Sequence, residues 1–150
     1  MDYRSKKALT ELVSQLNKLC EQLNEQFEIN WGGCCYTAYC IARLLEKDKL
    51  PFSLVIFDNY FNLNKVKMLP KVPWSMLHYA IVLQVGEHTT KTINRGKFRA
   101  SHKCYLKVTA EEILWHYEEH DWNDTYNPKH NQIIKQLIEK TYYDFTNNLR

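Results

Sequence analysis

Apolar residues recur at three- and four-residue steps through the first part of the chain, at Leu9, Leu12, Val13, Leu16, Leu19, Cys20, Leu23 and Phe27. That period predicts an amphipathic helix from about Ser5 to about Glu28, with the Ser5 hydroxyl as its N-cap. Cys20 lies on the apolar stripe and is assigned to packing, since a buried thiol behaves as a small hydrophobe. Asn30-Trp31-Gly32-Gly33 interrupts the pattern, and a second helix is expected from about Cys34 to Lys47, with Ala38, Ile41, Ala42, Leu44 and Leu45 facing inward. Beyond Pro51 the period changes. Phe52–Asp58 is a short apolar run rich in strand formers and reads as a buried strand. Asn59–Trp74 reads as a long loop whose lysines, Lys65, Lys67 and Lys71, form a solvated face. His78 opens a second strand with Tyr79–Val85 as its body, and Gly86–Thr89 is a turn. Lys91–Asn94 begins a third strand and Cys104–Val108 is a fourth. Thr109 and Glu112 match the capping box, a hydroxyl answered by a carboxylate three residues on, so a helix carrying Ile113, Leu114 and Tyr117 starts there. Asn127-Pro128 leads into a last helix with Ile133, Ile134, Leu137, Ile138 and Tyr142 as its stripe. Two helices, four strands and two helices in that order indicate an α+β fold with a small antiparallel sheet.

Length and composition narrow the class. At 150 residues and 45% apolar, residues 1–150 form a single domain with a core, not a disordered polyelectrolyte. The formal charge of +3 is too weak to argue for nucleic acid or membrane by itself. The first residues lack the apolar core of a signal peptide, and no apolar run approaches the roughly 18 residues that span a bilayer. The expectation is a cytoplasmic protein with reduced thiols, no membrane partner and an oligomeric state left open. Composition then poses one question, the purpose of the five cysteines.

Gly33-Cys34 falls where a loop becomes a helix. Backbone N–H groups there have no intrahelical partner and the helix dipole is positive, which favours thiolate, the nucleophilic form. The same N–H groups can receive the oxyanion made when a carbonyl is attacked. Gly32 and Gly33 keep side chains away from the thiol's approach. His78, at the mouth of a strand, is the candidate base, and Asn94, in the adjacent strand, is the candidate that orients its imidazole.

The run GGCCYTAYCIARLLEKDKLP resembles the nucleophile helix of transglutaminase-like proteins, with Cys34 followed by Ala38, Leu44-Leu45 and Leu50-Pro51. That resemblance implies a His at a strand start and an Asp in the next strand, and His78 and Asn94 stand at fitting intervals. The wider papain-like cysteine peptidase group shares this helix-then-sheet order and uses Asn as third member. The implied fold is papain-like, its nucleophile helix packed on a small antiparallel sheet between N- and C-terminal helices. Ala80 stands where the transglutaminase-like pattern carries an aromatic, and Asn94 where it carries Asp. Cys35 remains an alternate nucleophile, since it precedes Tyr36 as many papain-like nucleophiles precede an aromatic. Asn30 is a possible side-chain oxyanion donor. The implied reaction is acyl transfer at the amide of a protein or peptide substrate, by a peptidase or amidase with a Cys-His-Asn triad, needing no cofactor and no metal. The alternative is an inactive papain-like domain kept as a protein-interaction or assembly module.

Other patterns compete. His116-Tyr117-Glu118-Glu119-His120 fits the inverted zinc-peptidase spacing, but the chain is short for that architecture, and an exposed helix face explains it as well. Lys91, Arg95, Lys97, Arg99, His102, Lys103 and Lys107 make a basic stretch that could follow a phosphate backbone. Glu111, Glu112, Glu118, Glu119 and Asp121 oppose that use, so nucleic acid is not the expected partner.

Overall fold

The computed structural model describes residues 4–58, 78–97, 102–119 and 126–149. The loop expected at 59–74 with its three lysines, and also Arg99, His120 and Asp121, lie outside the described residues.

Helix α1 spans Lys6–Phe27, and the Ser5 hydroxyl accepts the Ala8 N–H at 3.2 Å as its cap. Leu9, Leu12, Val13, Leu16, Cys20 and Leu23 are its buried stripe. Helix α2 spans Cys34–Lys47 and buries Ala38, Ile41, Ala42, Leu44 and Leu45. Strands β1 (Phe52–Asp58), β2 (His78–Gln84), β3 (Thr90–Ile93) and β4 (His102–Leu106) form one antiparallel sheet in the order β3-β2-β1-β4. Helix α3 (Ala110–Glu119) and helix α4 (Asn131–Asn148) complete the chain, the latter entered through a short turn at Pro128–His130. The fold is therefore α+β with a small antiparallel sheet.

The alternation of β1 and β2 explains why both read as continuous apolar runs. Leu54, Ile56, Tyr79, Ile81 and Leu83 face the helices and join the main core. Val55, Phe57, Ala80 and Val82 form a second buried cluster on the other face. An antiparallel strand buried on both sides loses the polar alternation that a half-exposed strand shows. Thr109 and Glu112 make both bonds of the capping box, at 3.0 and 3.1 Å, and the Glu46 carboxylate from α2 accepts the Ala110 N–H at 2.8 Å. An Arg43–Glu139 ion pair ties α2 to α4. Expectations shift at three elements. Strand β3 runs Thr90–Ile93, which leaves Asn94 in the bend just past its end rather than in the strand. Strand β4 starts at His102 rather than Cys104, because it pairs with the end of β1, Phe57 against Lys103 and Asp58 against His102. Ile133 lies off the α4 stripe and is 43% exposed, while Ile134, Ile138, Tyr142 and Phe145 carry the packing.

Candidate active site

Cys34 is the first residue of α2 and is 3% exposed. The wide turn before it, Ile29–Gly33, uses its two glycines for different reasons. Gly32 adopts φ 115°, a conformation L side chains rarely take. At Gly33 a Cβ would stand 2.7–2.9 Å from ring carbons of Tyr126. That glycine was expected to open the approach to the thiol, and instead it makes room for an aromatic ring. Tyr126 is held there by its N–H, which donates to the Trp31 carbonyl at 3.1 Å, and by its hydroxyl on Asn131. All five cysteines are thiols rather than disulfides. Cys35 is fully buried and its thiol lies 3.8 Å from the Ile113 carbonyl. Burial, with the neighbouring Cys34 second, holds its pKa well above the usual thiol value. Burial also pushes Cys20 and Cys40 up to about 12. Cys104, partly exposed, is raised by the same cause.

His78 and Asn94 come together, though not by the atoms the sequence suggested. The His78 ring Nε2 lies 2.6 Å from the Asn94 backbone carbonyl. A carbonyl oxygen only accepts, so Nε2 carries the hydrogen and the neutral ring presents Nδ1 as its basic nitrogen. Burial lowers the imidazole pKa below its ordinary 6.5, and the carbonyl bond offsets part of that shift. Asn94 itself sits at φ 66°, the left-handed region that Asn tolerates better than most residues. Its side-chain amide is spent elsewhere, donating to Asn30 Oδ1 at 3.1 Å. Its backbone N–H donates to Asn17 Oδ1 at 2.8 Å. Asn17 Nδ2 donates to the Thr92 carbonyl at 3.1 Å, and the Asn30 N–H donates to Asn24 Oδ1 at 2.9 Å. A chain of hydrogen bonds thus runs from the imidazole through Asn94 to Asn30, in the turn that launches α2, and two asparagines of α1 brace it.

The alternation of β2 sets Tyr79, not His78, directly beneath the helices, while His78 shares the face of Ala80 and Val82. The His78 ring centroid stands 5.9 Å from that of Phe57. Tyr79 is fully buried and its hydroxyl lies 2.7 Å from His116 Nε2. Burial raises the Tyr79 pKa, and the nearby Cys35 and Cys34 raise it further. His116, read as part of an exposed face, is fully buried and turned onto Tyr79. Among the described residues no group of three His, Cys, Asp or Glu side chains is placed to hold a metal ion. Among the same residues, no helix is long and apolar enough to cross a membrane.

Three residues of this site escaped the sequence reading: Asn17, Asn24 and Tyr79. The asparagines carried a faint signal. Asn is a poor helix former, and two of them seven positions apart on one strongly periodic helix suggest side chains with bonds to make. Comparison with known proteins finds no matching family model, no match among curated proteins and no match among solved structures.

Proposed function

We propose that this chain is a papain-like, transglutaminase-like cysteine enzyme that transfers acyl groups from amide bonds, with water as the ordinary acceptor. His78 packs beside Phe57 on the face of β2 opposite the helix-start sulfurs, so in this reading the Cys34 thiol proton passes to His78 Nδ1 through water, and the sulfur attacks the amide carbonyl carbon. N–H groups at the start of α2 receive the oxyanion, with Asn30 Nδ2 as an added donor. Collapse breaks the C–N bond, the imidazolium protonates the leaving amine and a thioester remains on Cys34. The same ring then takes a proton from water, which adds to the thioester and releases the acid and the thiol. Asn94 acts through its carbonyl, which fixes the tautomer, and through its side chain, which holds Asn30. The observation that carries this reading is the bonded path from the His78 ring to the turn before Cys34. Cys35, fully buried with its thiol at the Ile113 carbonyl, is the weaker nucleophile.

Acylation by p-nitrophenyl acetate tests it. Intact mass and peptide mapping should find one acetyl group on Cys34, formed with a burst of p-nitrophenol. His78→Ala should slow that burst about 100-fold. Acetylation spread evenly over the thiols, or indifferent to His78→Ala, overturns the assignment.

One observation favours a second reading. Cys34 and His78 are 3% and 2% exposed, while Trp31 and Trp115 are 60% and 48% exposed. An inactive domain that binds protein partners through its aromatics would keep function in Cys34→Ala and lose it in Trp115→Ala.

A further inference from the structure

A cleft of about 590 Å³ opens between α1 and the turn after β3. Its size falls within the roughly 300–1,000 Å³ of small-molecule sites. Its α1 wall carries Glu21 and Glu25, one helical turn apart, and the opposite wall carries Arg95 and Lys97. All four are exposed, and among the described residues none of them is in an ion pair within 4.0 Å. Arg95 instead stands over the Phe57 ring at 5.4 Å. Phe57 belongs to the other face of the sheet, so Lys97 is the cation left to the cleft, and opposite charges that line it without meeting leave room for a ligand between them.

The floor between the walls is made of amides. Asn24, Asn30 and Asn94 all line the cleft. Asn24 and Asn30 use their side-chain oxygens internally, and Asn94 uses its side-chain nitrogen. The groups left over are two NH₂ donors and one amide oxygen acceptor. Such a set matches a peptide bond, whose carbonyl accepts and whose N–H donates. The same Asn94 holds His78 through its carbonyl, but neither His78 nor Cys34 lines the cleft.

We infer that the cleft binds short peptides with both ends free, the ammonium against Glu21 and Glu25, the carboxylate against Lys97, and the amide over the asparagines. A dipeptide is the smallest molecule with one amide between those two charges. The inference stands apart from the acyl-transfer reading, and binding can be measured apart from turnover.

The test uses the full chain carrying Cys34→Ala, titrated with alanyl-alanine and followed by backbone amide NMR. Saturable shifts are expected at Glu21, Glu25 and Asn94–Lys97. N-acetylation and C-amidation should each weaken binding about tenfold, the loss of one charge-assisted contact. Glu25→Gln should abolish the penalty of N-acetylation and leave that of amidation, and Lys97→Gln should do the reverse. Absence of binding, equal binding of capped and free peptides, or shifts away from the cleft overturns the inference. Inorganic phosphate that binds as well as the peptide, with shifts confined to Arg95 and Lys97, marks an anion site and also overturns it. Selective binding without hydrolysis by the unsubstituted chain leaves this inference standing and removes the catalytic one; hydrolysis without selective binding does the opposite.

Discussion

The two faces of β2 each hold a buried histidine, and the partners of the two rings differ in kind. On one face His78 Nε2 meets a backbone carbonyl at 2.6 Å. On the other, His116 Nε2 meets the Tyr79 hydroxyl at 2.7 Å. A carbonyl can only accept, so the first bond dictates where the hydrogen sits. A hydroxyl donates or accepts, so the second bond is compatible with either tautomer. Burial costs both rings hydration, yet only the His78 bond leaves a defined basic nitrogen on the neutral ring. Equal burial therefore does not mean equal chemistry, and a fixed proton position is the better mark of a base than low exposure.

The largest test of that contrast sets His78→Ala against His116→Ala in p-nitrophenyl acetate turnover by folded protein. The first should lose about 100-fold or more and the second less than about threefold, allowing for repacking. A larger loss at His116 would move the base to the other face, with Tyr79 as the relay to the helix-start thiols. A smaller effect is expected from Tyr79→Phe. It removes a hydroxyl from a fully buried pair and should lower the unfolding free energy in urea by about 1–3 kcal/mol, while leaving the His78-dependent burst unchanged. A burst that falls with stability intact would assign the Tyr79 hydroxyl to the reaction. The gentlest test is pH. Burial holds the folded His78 pKa below 6.5, so below that pH the unfolded chain binds more protons than the folded one. This contribution to stability is complete above pH 6.5 and is lost as pH falls through 6.5 and down to the folded pKa. Urea midpoints at pH 7.5, 6.5 and 5.5 should decline more steeply for the natural chain than for His78→Gln. Parallel declines would mean that His78 does not titrate across folding.

Much of the fold was legible because punctuation and period agree. Gly32-Gly33 and Pro51 bracket α2, and its observed limits, Cys34–Lys47, coincide with the pattern. Thr109 and Glu112 announced α3 by a local bond that needs no tertiary context. Strand β4 was harder, because its start is set by pairing with Asp58 and Phe57, which nothing local reveals. In the candidate site, sequence reasoning selected His78 and Asn94 and put them on neighbouring strands. It took the Asn94 side chain as the orienting group, since side-chain type is what a sequence displays. The left-handed backbone at φ 66° is a property of the turn, and it leaves the carbonyl on His78 and the amide on Asn30. Asn17 and Asn24 drew no reading from the sequence because their partners lie in β3 and in the turn after α1.

The fit of Tyr126 against Gly33 binds two distant positions into one unit of inheritance. Any methyl group added at position 33 meets the ring at 2.7–2.9 Å, so that site stays glycine for as long as position 126 stays aromatic. A lineage that replaces the tyrosine by a smaller residue releases the constraint, and one that introduces alanine at position 33 first must find a new place for the ring. Among descendants of this chain the two positions should change together or not at all, and their order of change should be tyrosine first.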